Sequence, residues 1–578
     1  MLVASDRVMI SDPMRGRKIL LNNSLELGVG LLALAAGGYV LTTTILMVVE
    51  CWTAVPFWDQ WDNLILARDK LFWHDIPLDL PHWLFWQHNE HRIAVPRVSF
   101  AIDRFFFRMT NEWNFFCNLA VQGALAGWVV YTALRGVGWR ISEKLLIIGA
   151  VSALLLSAMQ WENLLWGFQI AFLGVDLAAF ATFTAVAMGR PNVTRLVAAI
   201  GIESVAVYTL SSGMVVPFLA VPLAIWVRWP RRYVAVLGVA ALALLGSYLY
   251  DYHTPSHVPD PMQAVARIGS VLSYVTNEIG DPFGMVFSAA QFDYPKNWGW
   301  LCGALGLALF AGFAVDSVRR REREGPVPIL VAAALFVVGM ELLIALGRVN
   351  AGESLSSRYS SPVLLFWAAL VIIAMIRLRH GNLRFSAMAA ILAVASALAL
   401  YQPSFVALGR AWTLPRLEAT TALLANVDDP EALVRVYPSP SVPRERAKLL
   451  RERHLSVFSE EWSDWIGTSL ADHVRLSDPA RCRGGIDQAG AVGASDPAGW
   501  RASGWASDAE RQAVPMRVVI ADTNGRVVGY GLSGFPRPDG SRGWRGHFRV
   551  APTASVVAYA LLDDGRTACS LGQWSGPA

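Results

Sequence analysis

Two short stretches hold most of the ionisable side chains that can do chemistry: "PFWDQWDN" at 56–63 and "QHNEHR" at 87–92. Asp59 and Asp62 are three residues apart, so a helix would put both carboxylates on one face. Such a pair can serve as general base and charge stabiliser, or ligate a divalent cation such as Mg or Mn. His88, Glu90, His91, Arg92 and Arg97 add imidazoles, a third carboxylate and guanidiniums to the same segment. Imidazole and guanidinium groups suit phosphate contact. The plainer alternative is an interfacial loop with tryptophan anchors, followed by the solvated face of an amphipathic helix.

Two more stretches join them. "GRVNAGESLSSRYSSP" at 347–362 sets Arg348, Arg358 and Tyr359 around a Gly/Ser-rich loop. Arginine binds phosphate bidentately, and such a loop offers backbone N–H groups. Headgroup snorkelling accounts for Arg348 more readily than for both arginines. "MQWENLLWGFQ" at 159–169 places Glu162, Asn163 and Gln169 between tryptophans. Asp176, Glu203 and Glu341 lie inside apolar runs, where a carboxyl is either functional or held by an interhelical hydrogen bond.

The elements that must position these groups belong to a mainly α, polytopic membrane protein. The 578-residue chain is 54% hydrophobic and 16% charged, whereas soluble domains carry about a quarter charged residues. Apolar runs of spanning length predict about eleven transmembrane helices. They fall near 26–49, 113–134, 145–160, 167–188, 196–212, 214–228, 233–250, 298–316, 327–346, 363–376 and 385–401. Lysine and arginine collect in alternate loops (135–144, 189–195, 228–232, 319–323 and 377–384), while 161–166 and 211–213 carry none. The positive-inside rule then puts the N-terminal segment 1–24 in the cytoplasm, with no cleavable signal, and the C-terminal domain outside. The net charge of +4 arises from these loops and does not point to nucleic acid.

The transmembrane domain, 25–401, carries large outer loops at 50–112 and 251–297. The first is expected as short helices along the membrane surface. Within the second, 265–290 reads as an interfacial, re-entrant or spanning segment. Residues 402–479 read as a helical connector. Residues 480–578 read as an extracytoplasmic β-sandwich, with strands alternating around turns at Asn524-Gly525 and Asp564-Gly565. Cys482 and Cys569 bracket that domain, and an oxidising compartment would pair them. The site-forming loops lie on one side. The chain has no P-loop and no dinucleotide fingerprint, so an external site must draw its substrate from the membrane, as a lipid-carried group.

The arrangement resembles the GT-C superfamily of integral-membrane glycosyltransferases, which use polyprenyl-phosphate or polyprenyl-diphosphate sugars. The shared features are a first span, a long outer loop opening on acidic "WDQWD" and continuing to "HNEHR", many further spans and an outer C-terminal domain. The acidic pair departs from the family's compact motifs, because two residues separate Asp59 from Asp62. The resemblance implies a bacterial inner-membrane enzyme that moves a sugar from a polyprenyl carrier to a glycan, lipid or protein acceptor. Asp59 would be the catalytic carboxylate, with Asp62 or Glu90 the second. His88, His91, Arg92, Glu162 and Asn163 would position the acceptor or leaving phosphate, and Arg348, Arg358 and Tyr359 would bind the donor phosphate. The β-domain would be carbohydrate-binding. A divalent cation, if used, would sit on Asp59 and Asp62.

Three alternatives stay open. A transporter or flippase of a lipid-linked sugar would use Asp176, Glu203 and Glu341 as a proton relay, although the halves show no internal symmetry. An O-antigen ligase or polymerase would share the lipid donor. A non-catalytic scaffold would work through its β-domain.

Overall fold

Helices are what apolar runs form where water cannot satisfy the backbone. The computed structural model describes residues 13–66, 80–255, 266–289, 298–348, 356–478, 481–562 and 564–576. Among these, nine helices are long and apolar enough to cross a membrane. They are Asn23–Glu50, Glu112–Leu134, Ile141–Leu165, Gly167–Ala187, Arg231–Leu249, Trp298–Arg319, Val327–Arg348, Ser357–Leu378 and Arg384–Leu424. The two other runs expected as spans form shorter helices, Val193–Val207 and Val215–Trp226. A 3-10 turn at Ser211–Met214 separates them. It depends on Gly213, where an added Cβ would lie 1.9 Å from the Ala206 carbonyl oxygen.

Helix Ile268–Ala289 occupies the segment whose depth the sequence leaves open. It runs antiparallel to Trp298–Arg319, with Gly280 against Gly299 and Thr276 against Gly303. Val271, Glu278 and Ile279 face inward, while Ile268 and Leu272 are exposed.

Ion pairs gather one end of the bundle. Arg377 pairs with Glu322 at 2.5 Å and Asp316 at 3.1 Å, and Arg384 with Glu26 at 2.6 Å and Glu143 at 3.2 Å. The basic loops that alternate along the sequence therefore meet at this end, as expected. The described parts of loop 50–112, the turn at 157–169 and the turn at 356–361 meet at the other.

The expected boundary at 402 falls inside an unbroken helix. Arg384–Leu424 has 41 residues, so at 1.5 Å per residue it is about 60 Å long, roughly twice a bilayer's hydrocarbon thickness. Its distal half carries the C-terminal domain. There, strands β3 (Arg475–Leu476), β4 (Cys482–Ala491), β5 (Gly499–Asp508), β6 (Arg517–Asp522), β7 (Val527–Pro536), β8 (Arg542–Arg549), β9 (Ser555–Leu561) and β10 (Thr567–Ser575) form one sheet. Its order is β3-β10-β9-β6-β7-β8-β5-β4. This is one curled sheet, not the two sheets of the expected sandwich. Bulges at Ile486/Gln488, Ser533/Phe535 and Ser570/Gly572 increase the local twist. The curl brings β4 to β10, where Cys482 and Cys569 pair as expected. Inside lie Val518, Ile520, Phe548 and Ala560. Val519, Val527 and Tyr530 pack outward on Phe458, Trp462 and Trp465 of the connector.

A buried polar knot fixes the sheet to the long helix. His547 meets Thr421 Oγ1 at 2.8 Å through Nδ1 and Asp429 at 2.9 Å through Nε2. Arg501 bonds both oxygens of Asp429. Burial alone would raise the Asp429 carboxyl, but the bonds from His547 and Arg501 hold it well below the usual carboxylate range. A depressed carboxyl gives stability that is present above its unfolded value near 3.9 and lost as pH falls through its folded value. Asp429→Asn is expected to cost about 1.5–3 kcal/mol by weakening the charge-assisted bonds from His547 and Arg501, although Arg501 keeps its pair with Glu431 at 2.6 Å. Thermal unfolding of the full chain should show a lower midpoint for this variant, and a weaker loss of stability below about pH 4 than in the wild type.

Candidate functional site

The chain breaks its third apolar run on purpose-built side chains. After Leu155 the backbone leaves the helix, makes a 3-10 turn at Ala158–Gln160, one helical turn at Trp161–Leu165, and another 3-10 turn at Gly167–Gln169. Exposed carbonyls and amides at that depth must be satisfied by protein. Gln122 and Gln160 donate to Leu155 O at 2.6 and 2.7 Å. Gln402 accepts from Ala158 N at 3.1 Å and donates to Thr44 at 2.8 Å. Asn118 donates to the carbonyls of Asn163 and Trp166, both at 2.9 Å.

The break presents Glu162 and Asn163 to the turn at 356–361. Glu162 Oε2 accepts from Ser356 Oγ at 2.7 Å and from Arg358 N at 3.0 Å. Asn163 donates to Arg358 O at 2.8 Å and to Ser361 Oγ at 2.6 Å. Both residues thus clasp the segment that carries Arg358 and Tyr359. The guanidiniums of Arg348 and Arg358 lie 5.7 and 5.1 Å from the centroid of the buried Tyr359 ring.

The first outer loop arrives from the other side. Helix Asp59–Leu66 starts with both aspartates in its first turn. Asp59 faces His88 Nε2 at 3.4 Å. Asp62 turns instead to the connector, accepting from Tyr437 Oη at 2.8 Å and lying 3.4 Å from Arg446. "QHNEHR" is a tight β-hairpin, not a helical face. Strands β1 (Gln87–His88) and β2 (His91–Arg92) pair antiparallel, with His88 opposite His91. Directly paired residues share a face, so both imidazoles point to one side and Gln87 and Arg92 to the other.

Each face has its own partners. His91 Nδ1 meets Ser211 Oγ at 2.8 Å, in the 3-10 turn of the broken helix pair. Its Nε2 lies 3.6 Å from Glu90. Burial pushes the His91 imidazole below its ordinary value, against the opposing pull of Glu90, so it is neutral at pH 7. On the opposite face Arg92 donates to the carbonyls of Phe85, Tyr248 and Tyr250. Arg97 donates to Leu84 O and Trp86 O at 2.9 and 2.6 Å. These two arginines fasten the loop to its neighbours, and Arg92 faces away from the phosphate role expected of it.

The two halves share one electrostatic field. Arg358 lies within Coulombic reach of Asp59 and Glu162, and His91 within reach of Glu90, His88, Asp59 and Arg348. Below them, Glu278 sits within reach of Asp281 and both arginines, and Glu341 within reach of Glu278, Asp176 and Asp281. Glu203 does not join this group; among the described residues its carboxyl oxygens have no hydrogen-bond partner. Among the described residues, no group of three His, Cys, Asp or Glu side chains could hold a metal ion.

One buried arginine escaped the sequence reading. Arg416 stacks 3.4 Å above the Trp412 ring centroid and 4.1 Å from that of Phe57, and donates to Leu165 O at 2.7 Å. Among the described residues its Nε and Nη2 have no hydrogen-bond partner, and Glu162 is within Coulombic reach. The signal was an arginine directly after "WTLP" at 412–415, four residues from Trp412 and inside a stretch read as connector. No protein-family model matches the chain, and no curated protein matches it.

Removing the clasp carboxylate should loosen the turn that holds Arg358. Hydrogen bonds to a charged group contribute about 1.5–3 kcal/mol. Hydrogen exchange of residues 356–361 is therefore expected to speed up roughly tenfold or more in Glu162→Ala, while the basic-end helices keep wild-type protection.

Proposed function

We propose that the chain is a membrane glycosyltransferase that moves a sugar from a polyprenyl-phosphate or polyprenyl-diphosphate donor to a glycan, lipid or protein acceptor. The observation that carries this reading is the meeting of a carboxylate–imidazole pair, Asp59 and His88, with two guanidiniums, Arg348 and Arg358, on one tyrosine. General-base transfer from a phosphate leaving group needs a proton acceptor on one side and fixed positive charge on the other.

In an inverting transfer, Asp59 takes the proton of the acceptor hydroxyl as that oxygen attacks the anomeric carbon. The bond to the phosphate oxygen breaks, and Arg348 and Arg358 take up the negative charge that develops there. His88 orients Asp59, and neutral His91 orients the acceptor through the Ser211 turn. Glu162 and Asn163 act as positioning residues, because they hold Arg358 through its backbone. A Mg or Mn ion, if one takes part, would approach Asp59, since Asp62 already bonds Tyr437. The concentration of basic residues at the far end supports a cytoplasmic N-terminus, an outward-facing site and an extracytoplasmic β-domain in a bacterial inner membrane.

A second reading has its own support. The buried carboxyls of Asp176, Glu341, Glu278 and Asp281, close to the same arginines, suit a proton-coupled flippase of the same lipid. The two readings separate in one assay. Purified full-length protein is given a polyprenyl-phosphate sugar, and transfer to acceptor is measured. Asp59→Asn is expected to lower the transfer rate about 10²–10⁴-fold while donor binding persists, and Arg358→Gln to weaken donor binding. Unchanged transfer in Asp59→Asn, together with lipid movement lost in Glu341→Gln and Asp176→Asn, would replace the transferase reading with the flippase.

A further inference from the structure

The buried guanidinium of Arg416 touches both halves of the site. It is 1% exposed and stands on the long helix Arg384–Leu424. One face lies over Trp412 of the same helix, and the Phe57 ring of the first outer loop stands 4.1 Å away. Its Nη1 donates to Leu165 O of the broken helix at 2.7 Å.

Each of the two outside partners leads to a charged side chain of the site. Phe57 is two residues before Asp59, and its backbone N donates to Gln60 Oε1 at 3.1 Å, so it is tied to the first turn of helix Asp59–Leu66. Leu165 closes the helical turn that carries Glu162 and Asn163, and those two hold the backbone of Arg358. The halves also meet directly. Trp166 Nε1 donates to Phe57 O at 3.0 Å, and the Phe57 ring stands edge-on to Trp166 and Trp412, both at 5.1 Å. Loop, break and long helix thus share one joint, with Arg416 inside it.

Packing alone does not call for an arginine there. Among the described residues its Nε and Nη2 have no hydrogen-bond partner. Burying a cation without a bonded carboxylate is expensive, and apolar side chains of similar volume often replace buried charges with no loss of stability. A methionine would fill the gap between the rings. Arginine adds a rigid plane that stacks on aromatic faces and a donor fixed at a set angle to that plane. The plane meets the residue beside Asp59, and the donor meets the turn behind Arg358.

We infer that Arg416 is a positioning residue that sets the spacing between Asp59 and Arg358. The link itself stands on the contacts above; its effect on catalysis rests on the proposed transfer.

The test uses full-length protein in nanodiscs, followed by hydrogen exchange and thermal unfolding. Arg416→Met is expected to speed exchange of 57–63 and of 356–361 together, each roughly tenfold, with a melting midpoint no lower than the wild type's. Arg416→Lys keeps the charge and a donor for Leu165 O but loses the stacking plane. It is expected to leave 356–361 near wild type and to loosen 57–63. In the transfer assay Arg416→Met is expected to lose about tenfold or more in kcat, since small misplacements of reacting groups are costly, with donor KM within about twofold of wild type. Faster exchange in only one of the two segments of Arg416→Met, in neither, or throughout the chain with a lower midpoint would overturn the inference. Joint loosening in a protein that shows no transfer would remove the transferase reading and leave the link standing. Asp59-dependent transfer with kcat unchanged in Arg416→Met would overturn the positioning role and leave the transferase reading intact.

Discussion

The carboxylate of Glu162 bonded to the backbone of Arg358 is the contact on which the site depends. It joins two stretches of chain that are far apart in sequence, and it does so at a place where neither could be regular helix. A continuous helix through 157–169 would carry Glu162 and Asn163 past the turn they hold. The uncharged side chains of Gln122, Gln160, Gln402 and Asn118 make the break tolerable by satisfying the backbone it exposes. Burying unpaired peptide groups would cost more than the break returns. The amides inside the spans are thus part of the site, one layer removed from its charges.

The first outer loop is fixed by a different device. Its hairpin separates two tasks by strand alternation. His88 and His91 turn to Asp59 and Ser211, while Gln87 and Arg92 bind the backbone around Tyr248–His253. The connector then buttresses the loop. Trp58 N donates to Val436 O at 2.8 Å, Ser456 N to Arg108 O at 2.7 Å and Ser456 Oγ to Ala54 O at 2.6 Å. Trp61 is fully buried against the same layer. The long helix Arg384–Leu424 therefore supports the site from Gln402 and Arg416 within the bundle, and carries the β-domain above it.

Hydropathy made the spans legible, because burying some twenty consecutive residues in lipid leaves few other solutions. The break at Ser211–Met214 was legible as the polar "SSG" between two expected spans; what hydropathy did not show is that the helices beside it, Val193–Val207 and Val215–Trp226, are short. The ionisable cluster at 88–97 was legible as a cluster. Which members face the site was not, because His91 and Arg92 are equally polar and only strand register separates them. Asn89, at φ 48° in the hairpin turn, was the available hint, since asparagine tolerates the left-handed region. The bond of Asp62 to Tyr437 and the stacking of Arg416 on Trp412 and Phe57 were not legible for one cause: the connector's contacts with the bundle are tertiary and leave no periodic trace. Alternation around Gly-containing turns announced strands, and the cysteine pair was correct, but the closing of one sheet on itself follows from bulges that local pattern does not report.

The central claim is that the first outer loop and the 356–361 turn form one phosphate-binding site. The most direct measurement is an electron cryomicroscopy map of the full-length protein in nanodiscs with a prenyl monophosphate. Density for the phosphate is expected between Arg348 and Arg358, with Asp59 facing it. Phosphate density at the opposite end, beside Arg377 and Arg384, would contradict it.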